Sequence, residues 1–164
     1  MKIILTYIFF SLLACSMPTS SKSGFNDFYR QHENDKEVLT FKLPVFLAKT
    51  IINDEGDEMK RFIKNANSIK FIVCEKNIAS YKQEFENLLP QDIYKDLIII
   101  KNGTAKIRFR LREENEVIKE VITTVNEDSS FLAIGFQGNF SFEEVRKLVK
   151  SLNTSALKNV KEIE

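Results

Sequence analysis

The sequence predicts an α+β domain: an antiparallel or mixed sheet that ends in a four-strand meander, with helices packed on one face. Three observations predict it. Apolar residues in the first half recur at helical spacing, with only two strand-like segments among them. Four segments in the second half alternate with period two. Asn102-Gly103 lies between the first two of these, where both residues tolerate the positive φ of a tight hairpin. Helices early and strands late give one mixed layer arrangement, without βαβ repetition.

The elements follow in order. Phe25, Phe28 and Tyr29 share one face of a short helix over Phe25–Arg30. Val38–Leu43 alternates as a strand, and Pro44 ends it. Val45–Ile52 reads as an apolar helix. After a break at Gly56, a second helix carries Met59, Phe62 and Ile63 on one side. Ser68–Cys74 is the next strand. Tyr81, Phe85, Leu88 and Leu89 mark a helix that Pro90 stops. The meander comprises Tyr94–Lys101, Thr104–Arg112, Val117–Val125 and Ser130–Gln137, with turns at Glu113–Glu116 and Asn126–Ser129. The last helix starts near Phe142. Ser141 with Glu144 has the pattern of a capping box, and Phe140 with Val145 that of a hydrophobic staple. Val145, Leu148, Val149 and Leu152 form its apolar stripe.

The amino terminus reads as an export signal. Lys2 precedes the apolar run Ile3–Leu13, and Ala14 and Cys15 follow. As a helix that run reaches ~18 Å, short of the ~30 Å hydrocarbon core of a bilayer. Leu12-Leu13-Ala14-Cys15 resembles a bacterial lipobox, where a thiol at one position takes a thioether lipid and a small residue precedes the cut. The organisation expected is a signal over 1–14, the lipidated Cys15 with a flexible tether over 15–24, one domain over 25–152 and a polar tail over 153–164. Buried acyl carbons contribute ~0.8 kcal/mol per CH₂, so several chains, palmitate among them, hold a protein stably. The nine residues Ser16–Gly24 are small and polar, with an r.m.s. reach of ~15–18 Å. Ser16, where an aspartate would suggest retention at the inner membrane, favours the periplasmic face of the outer membrane.

Charge excludes a class of partners. The 164 residues carry a net +1, and removing Lys2 with the signal brings the side-chain total to zero. No general field attracts nucleic acid or an acidic membrane surface. With Cys15 lipidated, Cys74 has no intramolecular partner, and its apolar strand makes it an inert packed thiol.

The lone histidine, His32, sits in polar Gln31–Asp35 and reads as a solvated turn residue, with no Gly-x-Ser-x-Gly elbow to serve. Asp54-Glu55-Gly56-Asp57-Glu58 resembles a calcium loop, but aligning Gly56 with its glycine puts Ile51 and Phe62 at ligand positions. The carboxylate pairs Glu84/Glu86, Glu113-Glu114 and Glu143-Glu144 fall on turns or polar helix faces. Phosphate-loop and dinucleotide glycine patterns are absent. Neither a metal nor a cofactor is expected, and no catalytic residue is assigned.

One constellation remains. Lys106, Arg108, Arg110 and Arg112 alternate with Ile107, Phe109 and Leu111, which puts four cations on one strand face. If Arg112 pairs with Glu116 across the hairpin, Arg108 faces Glu120. The simpler account is a solvated face with cross-strand ion pairs. The functional account is contact with an anionic partner: a lipid head group, a polysaccharide or an acidic envelope protein.

Several segments together resemble the Bacteroidota lipoproteins grouped as domain of unknown function 4252. They are Leu12-Leu13-Ala14-Cys15; Phe25–Tyr29 ahead of Val38–Pro44; the acidic 54–58 ahead of Ser68–Val73; and the closing Phe131–Phe140. The resemblance spans nearly the whole chain. It implies an envelope protein and supplies no activity. The expected function is therefore a lipid-anchored binding or interaction module. The alternatives are a carboxylate-dependent envelope hydrolase and an accessory protein in envelope-stress signalling.

Overall fold

The computed structural model describes residues 24–51 and 57–150. The signal, Cys15, the tether up to Ser23, the 52–56 connection and the residues from Ser151 onward, Leu152 and the tail included, lie outside the described residues.

Helix α1 (Phe25–His32) leads to β1 (Val38–Leu43), α2 (Val45–Ile51) and α3 (Asp57–Lys64). Strand β2 (Ala66–Cys74) and α4 (Ile78–Leu88) follow. The meander is β3 (Tyr94–Asn102), β4 (Ala105–Glu114), β5 (Val117–Asn126) and β6 (Phe131–Phe140). Helix α5 covers residues 142–150. The six strands form one sheet in the order β1-β2-β6-β5-β4-β3, antiparallel at every pairing. The class is thus α+β, with the expected meander at its end.

The helices divide between the two faces of the sheet instead of gathering on one. On the first face, Phe25 and Phe28 of α1 and Tyr81 and Phe85 of α4 pack with Ile72, Ile122 and Phe131. On the second, Phe62 and Ile63 of α3 and Val145, Leu148 and Val149 of α5 pack with Ile69, Val121 and Phe140. The central strands explain this. In β2, Ile69 and Ile72 are both buried but have opposite parity, so each face is apolar and each needs cover.

Aromatic rings fill both layers. Phe85 meets Phe28 edge to face at 5.1 Å and Phe131 at 5.2 Å, while Phe62 stacks on Phe140 at 4.4 Å. Helix α1 lies close against β6 because position 135 is glycine: a Cβ there would stand 2.4 Å from the Phe25 ring.

Two turns differ by a residue or two from expectation. The β3–β4 turn is Gly103-Thr104, with Asn102 paired to Ala105 and Gly103 at φ +58°. Glycine at the first turn position is the pattern of a type II′ hairpin. The β4–β5 turn is Asn115-Glu116, both with positive φ, and a bulge separates Arg112 from Glu113.

Candidate functional site

The alternation of β4 does sort its residues by face. Phe109 is buried in the second-face core, with Ile107 and Leu111 packed against that core, while Arg108, Arg110 and Arg112 point to the first face. There the chain supplies its own anions. Arg110, 5 % exposed, donates Nε to Asp96 Oδ1 at 3.2 Å and Nη2 to Glu86 of α4. Arg108 reaches the same Glu86 carboxylate at 3.3 Å. Arg112 donates Nε to Glu120 Oε2 at 3.2 Å and pairs with Glu114 through Nη1. Lys106 stands apart from this group, opposite Lys101 on one side and Asn126 on the other. It takes no ion pair among the described residues.

The expected register is corrected here. Arg112 lies opposite Glu120, not Glu116, and Arg108 lies opposite Thr124. The tight Asn115-Glu116 turn and the bulge beside it shift every partner of β4. Strand alternation is a property of one strand, whereas partner identity depends on the turn and on irregularities that alternation does not encode.

A polar row runs across the sheet from this point. Tyr94 of β3, Arg112 of β4, Glu120 of β5, Gln137 of β6 and Ser68 of β2 stand opposite one another in succession. Glu120 is its centre and only 2 % exposed. Tyr94 donates its hydroxyl to Glu120 Oε2 at 2.7 Å, and Gln137 donates Nε2 to Oε1 at 3.4 Å. Burial, and then the Glu120 charge, hold the Tyr94 phenol well above its ordinary range.

Tyr94, Arg112, Glu120 and Gln137 of this row line a polar cleft of about 580 Å³ beside the first turn of α1. Arg30, Lys70 and Arg112 meet Asp27, Glu114 and Glu120 there, so the cleft carries no field of one sign. Lys70 donates to Asn26 Oδ1 at 2.7 Å and lies 4.6 Å from the centre of the Tyr29 ring. Burial, and next the facing Lys42, lower the pKa of its ammonium. The sequence signal for the row was Glu120 itself, an acid at a core-facing parity of an apolar strand.

His32 is buried rather than solvated, at 8 % exposure. Its Nδ1 lies 3.3 Å from Asp35 Oδ2 and its Nε2 3.1 Å from Glu84 Oε1. Helix α1 extends to His32, and a position four residues after Phe28 falls on the apolar stripe. Its ring packs on Phe28 and edge-on to Tyr81. Asp35 accepts from the Glu37 amide and the Tyr81 hydroxyl, which lower its pKa. The same hydroxyl bond, with burial, pushes the Tyr81 phenol up to about 12.

The other sequence candidates resolve separately. Cys74 is fully buried, and burial followed by the Asp35 charge pushes its thiol up to about 11. Residues 54–56 of the acidic segment lie outside the described residues, and Asp57 and Glu58 open α3, where they complement its dipole. Among the described residues no cluster of three metal-ligating side chains forms. The carboxylate pairs separate: Glu84 faces His32 while Glu86 faces Arg108 and Arg110. Glu143 pairs with Arg146, and Glu144 closes the capping box with Ser141.

No curated protein and no solved structure matches the chain. A family described as a domain of unknown function matches residues 29–148, from α1 into α5. Most of the chain falls within that match, and the chain belongs to the DUF4252 family.

Proposed function

We propose that this chain is a lipid-anchored protein of the cell envelope whose domain serves as a binding or interaction module. The observation that carries the reading is Leu12-Leu13-Ala14-Cys15 behind a cationic start and a short apolar run. Ser16 after the cysteine favours the periplasmic face of the outer membrane. The disposition of charge in the domain supports a module over a hydrolase. A carboxylate-dependent hydrolase needs an acid and a base with capacity for substrate. Glu114 and Glu120 share the polar cleft, but both are bound to Arg112.

The test is Cys15→Ser in the producing cell, with fractionation and labelled palmitate. The wild-type chain should take up label and pellet with membranes. The variant should take up none and be released or left unprocessed. An unlabelled wild type, together with a variant that still pellets, overturns the reading.

A further inference from the structure

The first face of the sheet changes character towards one end. Along its middle, Ile72, Ile122 and Ala133 belong to the apolar core beneath α1 and α4. Further along, the same three strands carry Ser68, Glu120 and Gln137 of the polar row. Glu120 is a carboxylate on a central strand, buried where an apolar side chain of similar volume is often neutral or stabilising. A buried charge retained at that cost, beside an open cleft of about 580 Å³, points to a ligand.

The chemistry of the ligand is indicated by the bonding capacity left over. Arg112 gives Nε to Glu120 and Nη1 to Glu114, which leaves Nη2. Lys70 gives one N–H of its ammonium to Asn26 and keeps the others. Gln137 donates to Glu120, and its own carbonyl oxygen accepts from no side chain among the described residues. Glu120 Oε1 takes that one bond, at 3.4 Å, against two on Oε2. Groups with spare donors and groups with spare acceptors thus line the cleft side by side: Arg112, Glu120, Gln137, Lys70. They stand on β4, β5, β6 and β2, which are neighbours in the sheet, so they span three strand spacings, about 14 Å.

That pattern selects among ligand classes. A simple anion meets Asp27, Glu114 and Glu120, and a simple cation meets Arg30, Lys70 and Arg112. An apolar ligand would leave the row unpaired. A peptide backbone donates and accepts, but its side chains call for apolar pockets, and no aliphatic side chain lines this cleft. A hydroxyl donates and accepts at a single atom, so it suits a donor beside an acceptor. Neighbouring hydroxyls of a sugar can bridge Arg112 with Glu120, and Gln137 with Lys70, and hydrogen bonds to ionised groups are the stronger kind. Two such pairs across four strands call for more than one sugar ring. We propose that the cleft beside Glu120 binds an uncharged oligosaccharide of two or more rings, its hydroxyls held by Arg112, Glu120, Gln137 and Lys70. The proposal gives the binding module its ligand class and rests on that reading.

The test uses the full chain, purified from the producing cell in a sugar-free detergent and detected through a carboxy-terminal tag. It is applied to an array of neutral hexose and N-acetylhexosamine oligomers, their monosaccharides, sulfated and uronic oligomers, and short peptides. Neutral oligomers should bind, more tightly than their monosaccharides, and added salt should leave that binding unchanged. In calorimetric titrations with the best-bound oligomer, Lys70→Met and Gln137→Met should each weaken binding about tenfold, as loss of one hydrogen bond does. Both substitutions spare the Glu120–Arg112 pair, and an unchanged circular dichroism spectrum checks the fold. Lys101→Met, at the far β3 edge, should bind as the wild type does. Binding to no glycan, to anionic glycans alone or to peptides alone overturns the proposal, as does neutral-glycan binding that both cleft variants leave intact. None of these results touches the anchor, which the Cys15→Ser experiment decides. Oligomer recovered in cleaved form upholds the ligand class and overturns the module in favour of a hydrolase.

Discussion

Arg110 and Arg112 lie two residues apart on one strand face, yet their partners differ in kind. Arg110 binds Glu86 and Asp96, whose side chains are about half exposed and can turn to water when the arginine is removed. Arg112 binds Glu120, which is buried and cannot. Losing one member of a buried pair costs far more than losing one of a solvated pair. Arg112→Ala should therefore destabilise by about 3 kcal/mol, and Arg110→Ala by about 1 kcal/mol, mostly through lost packing. Urea midpoints at constant m-value measure both, and equal losses would contradict this account. Cys74 gives the pH dependence. Its folded thiol is raised from 9.0 to about 11, so thiolate forms first in the unfolded chain. Stability should hold below pH 9 and fall as pH rises towards 11. Tyr81, raised from 10.0 to about 12, extends the fall. Cys74→Ser should flatten the earlier part of that decline in a series of urea midpoints against pH.

The elements were legible wherever one periodicity ran undisturbed. Helix α5 was readable down to its cap: the Ser141 amide donates to Glu144 Oε2 at 2.8 Å and the Glu144 amide to Ser141 Oγ at 3.2 Å. Glu144 also accepts from Asn65, which ties the end of α3 to the start of α5. Ser141→Ala should cost about 1 kcal/mol, as loss of such a cap does. Thermal melts measure it, and an unchanged midpoint would mean that Asn65 holds the helix end alone. The arginine face was legible for the same reason, because period two places alternate residues of β4 together. Its partners were not legible. Pairing of β4 depends on bulges in its pairs with β3 and with β5 and on a two-residue turn that takes a left-handed glutamate at Glu116. No local pattern in Val117–Asn126 announces those irregularities. His32 departs from the solvated turn that its polar neighbours suggest, because its spacing from Phe28 puts it on the buried side of α1.

At the scale of the molecule, a half-and-half division of helices and strands suggested one covered face, but β2 and β6 are apolar at both parities and call for two. Glu120 alone signalled the polar row; its other members were out of reach because they come from four further strands spread along the chain. The order of the sheet has a further consequence. Strand β6 is the last strand in the chain, yet it lies between β2 and β5. Until it arrives there are two half-sheets, β1-β2 and β5-β4-β3, each with an open inner edge and neither with a finished core. Synthesis must pass Phe140 before the sheet can close. The pairing of β2 with β6, far apart in the chain, is therefore the contact whose loop closure weighs most on the rate of folding.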